Sequence, residues 1–232
     1  MYASGKNVAK IVLDNDITIK KAYISVNFKD DFIISALEKQ KIPIKYVDKT
    51  YLNNLVQKNH QGIILDIEAY QYASLDDLLA TEDNFLVILD HIVDPQNLGA
   101  IIRSCEGFGV DGVIIPKDRS AVINDTVIRA SAGAVFNVKI AREINLSQTI
   151  NLLKQAKYWI IGADLSGEQL GNISLSGNRA LVIGSEGFGL SKMIAKRCDF
   201  FATIPMYGRI NSLNASVAGA ILIYEIQKRR RK

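Results

Sequence analysis

Short apolar runs alternate along the chain with amphipathic stretches, and the change of period marks out its elements. Residues 4–13 have helical spacing, and Ala22-Tyr-Ile-Ser-Val26 reads as a strand. Residues 31–39 then predict a helix, 42–47 a strand, 49–58 a helix and 62–67 a buried strand. Residues 1–68 therefore predict a small α/β unit. Residues 69–84, with Tyr70, Tyr72, Ser74 and the Asp76-Asp77 pair, read as a linker with room for a short helix.

From residue 85 the rhythm becomes apolar strand, then helix, repeated. Strands are predicted over residues 85–89, 112–115, 135–138, 158–162, 180–183 and 200–204. Runs that are apolar throughout suit strands buried on both faces, as in a parallel sheet covered by helices. Ligands in that class bind beyond the carboxyl ends of the strands. Three segments in that position stand out: 90–103, 184–191 and 206–214.

Composition narrows the class without naming a chemistry. The chain has 232 residues, 48% apolar and 22% charged, which is ordinary for a globular protein of one large or two small domains. No apolar run is long enough for a bilayer span and no secretory signal pattern opens the chain, so a cytoplasmic protein is expected. Cys105 and Cys198 are far apart and match no metal-ligand spacing; they read as reduced thiols. The net charge of +4 depends on the terminal run Lys228-Arg-Arg-Arg-Lys232, without which the chain is slightly acidic. Such a tail can contact phosphate or can be a solvated helix end, so charge alone does not establish a nucleic-acid partner.

The first segment places Asn97 near the start of a helix and Arg103 less than two turns later. Arg103 follows Ala100-Ile-Ile102, so its guanidinium is expected to point into the protein or a cleft. There it needs an anion or an acceptor; a structural ion pair with Glu106 at i+3 serves as well as a site. The second, Ile183-Gly-Ser-Glu-Gly-Phe-Gly-Leu-Ser191, lacks the Gly-Lys-Ser/Thr ending of a phosphate loop and the spacing of a dinucleotide loop. Glu186 at its centre repels phosphate, so a neutral or cationic ligand suits it better than ATP; a plain structural turn is the alternative. In the third, Asn211, Ser212 and Asn214 stand at the start of a helix whose first turns are small: Ala215, Ser216, Ala218, Gly219, Ala220. Such a helix either is well capped and tightly packed or closes a binding site.

Taken together, Asp94-Pro-Gln-Asn-Leu-Gly-Ala-Ile-Ile-Arg103, Val182-Ile-Gly-Ser-Glu-Gly-Phe-Gly-Leu190 and the stretch from Ile204-Pro-Met to Ser212-Leu-Asn-Ala-Ser216 resemble, in order, the three motifs of the SpoU (TrmH-like) branch of the SPOUT RNA ribose 2′-O-methyltransferases. The N-terminal region resembles the small α/β L30e-like RNA-binding domain of ribosomal-RNA members, through Asn59-His-Gln-Gly-Ile63 among others. The resemblance implies an α/β fold: a C-terminal, mostly parallel sheet flanked by helices (residues 85–232) with a deep C-terminal trefoil knot, preceded by the L30e-like domain (1–68) and a linker (69–84). Strand–helix alternation by itself predicts an unknotted sheet, since knots are otherwise almost absent.

The resemblance further implies S-adenosylmethionine as methyl donor, a homodimer, and a structured RNA substrate. Guanosine in 23S ribosomal RNA is the first choice and tRNA the alternative; a non-catalytic RNA-binding ribosome-assembly protein of the same fold is a third reading. By similarity Gly184, Ile204 and Leu213 contact the cofactor, and Asn97, Arg103, Glu186, Ser212 and Asn214 form the catalytic set. A guanidinium releases its proton only in strongly basic solution, which favours Arg103 as a fixed donor to a phosphate or developing alkoxide over a base. His60 reads as a domain-closing or RNA-contacting residue and His91 as a loop residue. Neither has partners at ligand spacing, so no metal is expected.

Overall fold

Two sheets organise the chain, one from each half of the sequence. The computed structural model describes all residues except 57–58, 80–81, 170–175, 211 and 231–232. The end of the helix predicted over 49–58, Asn211 and the last two residues of the basic tail lie outside the described residues.

The N-terminal half runs β1 (Tyr2–Ser4), α1 (Lys6–Asp14), β2 (Ile19–Ser25), α2 (Asp31–Lys39), β3 (Ile44–Val47), α3 (Lys49–Leu55) and β4 (Ile63–Ile67). Its sheet has the order β1-β4-β2-β3, with β2 and β3 parallel and the other pairs antiparallel. Asp30 and Asp48 cap α2 and α3, each accepting a first-turn N–H. β1 was not predicted, because three residues are too few to show an alternation.

The C-terminal half runs β5 (Phe85–Asp90), α4 (Pro95–Phe108), β6 (Gly112–Pro116), α5 (Asp125–Ala130), β7 (Ile140–Glu143), α6 (Leu146–Gln155), β8 (Trp159–Gln169), β9 (Arg179–Gly184), α7 (Lys192–Ala195), β10 (Phe200–Thr203) and α8 (Ala215–Arg230). The strands form one parallel sheet in the order β10-β8-β9-β5-β6-β7. Every residue of β5 and β6 is buried, as a doubly covered sheet requires. Residues 135–138, predicted as a strand, instead follow a tight turn at Gly133 (φ 90°) into a 3-10 helix at Ala134–Phe136. Val135 is apolar because it packs in the core. The seventh strand begins five residues later, and a four-residue apolar run cannot distinguish the two cases.

Segment 69–84 is tied to the second sheet: Ala73 pairs with Ala141 of β7, its N–H donating to Ile140 O at 2.9 Å. A 3-10 helix at Asp76–Leu78 follows. The two halves share one apolar cluster in which Val12, Ile63 and Leu65 join Ile128 and Val135. Tyr2 N–H also donates to Asp125 Oδ1 at 2.9 Å. The last helix, α8, buries Gly219, Leu222, Ile223 and Ile226. The position of a Cβ on Gly219 lies 2.8 Å from Ile183 Cδ1, so a larger residue would push the Ile183 side chain of β9 aside. Its opposite side leaves Val217, Ile221 and Tyr224 exposed at spacings of four and three. Among the described residues no helix is long and apolar enough to cross a membrane.

Candidate active site

The carboxyl ends of β5, β9 and β10 lead into the three segments singled out above. After β5, Asp94 caps α4 by accepting Gln96 N–H, with Pro95 at the first helical position where a missing N–H costs nothing. This brings Asn97 to the first turn. After β9 the chain doubles back: Ser185 N–H donates to Gly189 O at 3.1 Å and Gly189 N–H to Ser185 O at 2.9 Å. A Cβ on Gly184 would lie 2.2 Å from the carbonyl carbon of Gly189, so this fold-back admits glycine alone. The return exposes Glu186 at the tip. After β10 a polar loop leads into α8, whose first turn is held by Asn214.

These three segments meet. Glu186 Oε2 accepts from Asn97 Nδ2 at 3.3 Å and from Asn214 Nδ2 at 3.2 Å, while Asn214 Nδ2 also donates to Asn97 Oδ1 at 3.1 Å. Asn214 Oδ1 accepts Ser216 N–H at 2.9 Å and Ser216 Oγ–H at 2.6 Å. A backbone N–H can only donate, so this contact assigns which end of the Asn214 amide is oxygen. Ser216, absent from the expected set, is thus the residue that orients Asn214. Its signal was the spacing Asn-x-Ser at a helix start.

Beside this triad lies a cleft of ≈ 470 Å³, in the range of about 300–1,000 Å³ usual for small-molecule sites. Gly184, Ile204, Leu213, Ser212, Glu186 and Asn214 all line it, and the first three are those expected to contact a cofactor. Leu165, Ile183 and Leu222 add apolar wall, and Asp164 joins Glu186 as a second carboxylate. Among the described lining residues none is basic. A phosphate-rich ligand would find no counter-charge here, whereas a cation with an apolar body would.

Arg103 departs from expectation. It is exposed, lies outside the cleft and meets no hydrogen-bond or ion-pair partner among the described residues. Leu98, Ile101, Ile102 and Cys105 form the buried stripe of α4 at spacings of three, one and three, which turns Arg103 outward. The apolar neighbours that suggested burial lie on the other side of the helix. Glu106, the expected ion-pair partner, instead accepts from Asn137 Nδ2 at 3.4 Å.

Asp90 is the residue that sequence reading passed over. It is 1% exposed at the end of β5, and its Oδ2 accepts Ser191 N–H at 2.7 Å, fastening the exit of the second segment. Its Oδ1 meets His91 Nδ1 at 2.5 Å. A carboxylate closing a wholly apolar strand was the available signal. His60 is buried; its Nδ1 accepts Gly62 N–H at 3.0 Å and its Nε2 faces Asn53 Oδ1 at 3.1 Å, which is the domain-closing role. Burial first, then Asp199, pushes the Cys198 thiol up to about 12, and burial raises Cys105 as well, so neither offers a thiolate. No group of His, Cys, Asp and Glu able to hold a metal occurs among the described residues.

Comparison with known proteins agrees with this geometry. The family model described as the SpoU rRNA methylase family matches residues 84–224, and the one described as RNA 2′-O ribose methyltransferase substrate binding matches residues 2–73. A Bacillus subtilis relative named for the TrmH family of tRNA/rRNA methyltransferases is 39% identical, over 99% of this chain and 96% of its own length. A Staphylococcus haemolyticus relative named for the same family is 38% identical, over 97% and 94%. The SpoU methyltransferase AviRb from Streptomyces viridochromogenes, solved with AdoMet, has the same fold: TM-score 0.88 at 21% identity, covering 100% of this chain and 91% of that one. An AdoMet-bound rRNA methyltransferase from Sinorhizobium meliloti gives 0.85 at 25% identity, covering 98% and 87%. Matched through its parallel sheet and along its whole length, the chain belongs to the SpoU rRNA methylase family.

Proposed function

We propose that this protein is an S-adenosylmethionine-dependent methyltransferase acting on the ribose 2′-hydroxyl of a guanosine in 23S ribosomal RNA, as a cytoplasmic homodimer. The observation that carries the reading is the meeting of Asn97, Glu186 and Asn214, from three separate segments, at the edge of a cleft that is apolar with two carboxylates. That lining fits the proposed cofactor: apolar walls for its adenosine and negative charge for its sulfonium. When bound, S-adenosylmethionine supplies an electrophilic methyl group.

The residues of the chain supply position and charge. Gly184, Ile204 and Leu213 present backbone and apolar surface to the cofactor, while Ser212 and Asn214 face the ribose at the mouth of the cleft. Glu186 holds the Asn97 and Asn214 amides, leaving its second oxygen for substrate. The ribose hydroxyl must shed its proton as its oxygen becomes nucleophilic, and a fixed cation eases that charge. Arg103 serves as that cation or as a donor to the target phosphate. Its outward direction makes it available to the active site of a second copy, and the exposed apolar side of α8 gives that copy a face to cover. The close packing of Gly219 on the Ile183 side chain and the fold-back at Gly184 suit the threaded chain of a trefoil knot.

Ribosomal RNA is favoured over tRNA because the N-terminal half matches a substrate-binding family model and Lys228 and Arg230 of the basic tail are engaged within the chain. Arg230 pairs with Asp111 at 2.9 Å and Asp83 at 3.1 Å, and Lys228 with Glu225 at 3.7 Å. The complete amide–carboxylate triad disfavours a purely binding role, which has no use for it. Methyl transfer from labelled S-adenosylmethionine to total RNA of a methylase-deficient strain, followed by mapping, tests the proposal. Label at one 2′-O-methylguanosine of 23S RNA is expected. Label in tRNA alone overturns the substrate, and no label with no cofactor binding overturns the activity.

A further inference from the structure

Two aromatic rings stand bare at the rim of the cleft beside Glu186. Phe188 is 93% exposed and Tyr207 95% exposed, and neither has a ring or cation partner among the described residues. One exposed ring on a surface is ordinary. These two stand on the loops that build the site. Phe188 lies inside the fold-back closed by Ser185 and Gly189, two positions from Glu186 of the triad. Gly187 and Met206 line the cleft, and Phe188 and Tyr207 are their next neighbours, so each Cα stands about 3.8 Å from that of a lining residue. Rings so open to water add almost nothing to the core, and their place calls for another use.

Space and charge beside the rings are also unclaimed. A Cβ placed on Gly187, Gly189 or Gly208 meets nothing within 4 Å beyond its chain neighbours, so the backbone next to each ring leaves room for a flat ligand. Arg209, two residues after Tyr207, is exposed and has no hydrogen-bond or ion-pair partner among the described residues. Flat apolar faces near an unpaired guanidinium suit an unstacked nucleobase and its phosphate.

We infer that Phe188 and Tyr207 hold the base of the nucleotide being methylated by stacking on it. The inference rests on the methyltransferase reading. In a nucleotide the carbon bearing the 2′-hydroxyl is bonded to the carbon that carries the base. A ribose facing Ser212 and Asn214 therefore brings its base to the same rim. A base turned out of structured RNA loses its stacking neighbours, and the two rings replace them. Stacking accepts any base, so the rings fix where the ribose sits and leave the identity of the base to other contacts.

Phe188→Ala and Tyr207→Ala test it in the full-length chain, with Phe188→Tyr and Tyr207→Phe as ring-preserving counterparts. Methyl transfer to the RNA that takes up label gives kcat and KM. Calorimetry gives the S-adenosylmethionine affinity, and sedimentation the oligomeric state. Each alanine variant is expected to lower kcat/KM for RNA about tenfold or more, with cofactor affinity, sedimentation and melting temperature unchanged. The ring-preserving variants are expected to match wild type. Trp159→Phe/Phe188→Trp leaves one indole in the chain, at position 188, and RNA is expected to quench its fluorescence by stacking. Alanine variants as active as wild type overturn the inference, while methyl transfer by wild type leaves the function standing. A loss shared by the ring-preserving variants, or one that comes with weaker cofactor binding, also overturns it. Alanine variants that sediment as a smaller species, or an indole that responds to protein concentration and not to RNA, assign the rings to a second copy and overturn the base. Wild type that labels no RNA overturns both readings.

Discussion

The two sheets place their surfaces at the disposal of function in opposite ways. In the parallel sheet β5 and β6 are buried along their whole length, so only the loops beyond the strand ends remain for chemistry. In the mixed sheet β2 alternates between buried and half-buried positions, Lys45 and Tyr46 of β3 are exposed, and Lys45 Nζ lies 4.5 Å from the centre of the ring of Tyr51, an exposed residue of α3. A doubly covered sheet concentrates function at an edge of loops. The mixed sheet leaves rings and cations open at its β3 edge, which suits contact with an extended polymer.

The largest effect expected from this contrast is on stability. Phe85→Ala, in the covered sheet, should cost about 3–5 kcal/mol in urea unfolding, whereas Tyr46→Ala should stay within about 0.5 kcal/mol. Equal losses would erase the distinction. The next is catalytic: Arg103→Ala should lower methyl transfer at least about a hundredfold, a loss of roughly 2.7 kcal/mol in the transition state. Its melting temperature and cofactor affinity should not move, since the side chain is exposed and unpartnered among the described residues. A fully active variant would remove Arg103 from the site.

The smallest effect concerns the N-terminal half and pH. Burial first, then Lys49, lowers the His60 pKa below the ordinary 6.5. The folded state therefore prefers the neutral ring, whose Nδ1 accepts Gly62 N–H. Stability from this site is full above the unfolded value and is lost as pH falls through the lower folded value. Denaturant unfolding between pH 7.5 and 5 should show the decline in wild type and a shallower one in His60→Gln. Identical profiles would deny His60 the closing role.

Much of the architecture was readable because its signals are local. Asp94-Pro95, Asp30 and Asp48 announce helix starts through capping, and the continuous apolar runs of β5 and β9 announce doubly buried strands. The segments that carry Gly184, Ile204 and Leu213 were legible from their place at strand ends, whereas these residues themselves were named through the resemblance of the three motifs. Arg103 misled because its apolar neighbours in sequence are not its neighbours on a helix with 3.6 residues per turn. Residues 135–138 misled because burial and strand pairing leave the same mark on so short a run.

The sequence by itself determined the order of elements, the helix caps, and which segments would stand beyond strand ends. These depend on residues a few positions apart. The tertiary structure alone decided what meets: Asn97 with Glu186 across 89 positions and with Asn214 across 117, and Asp90 with Ser191. Such contacts follow from strand order and from the packing of α1 and α8 on distant elements, and no period along the chain encodes either.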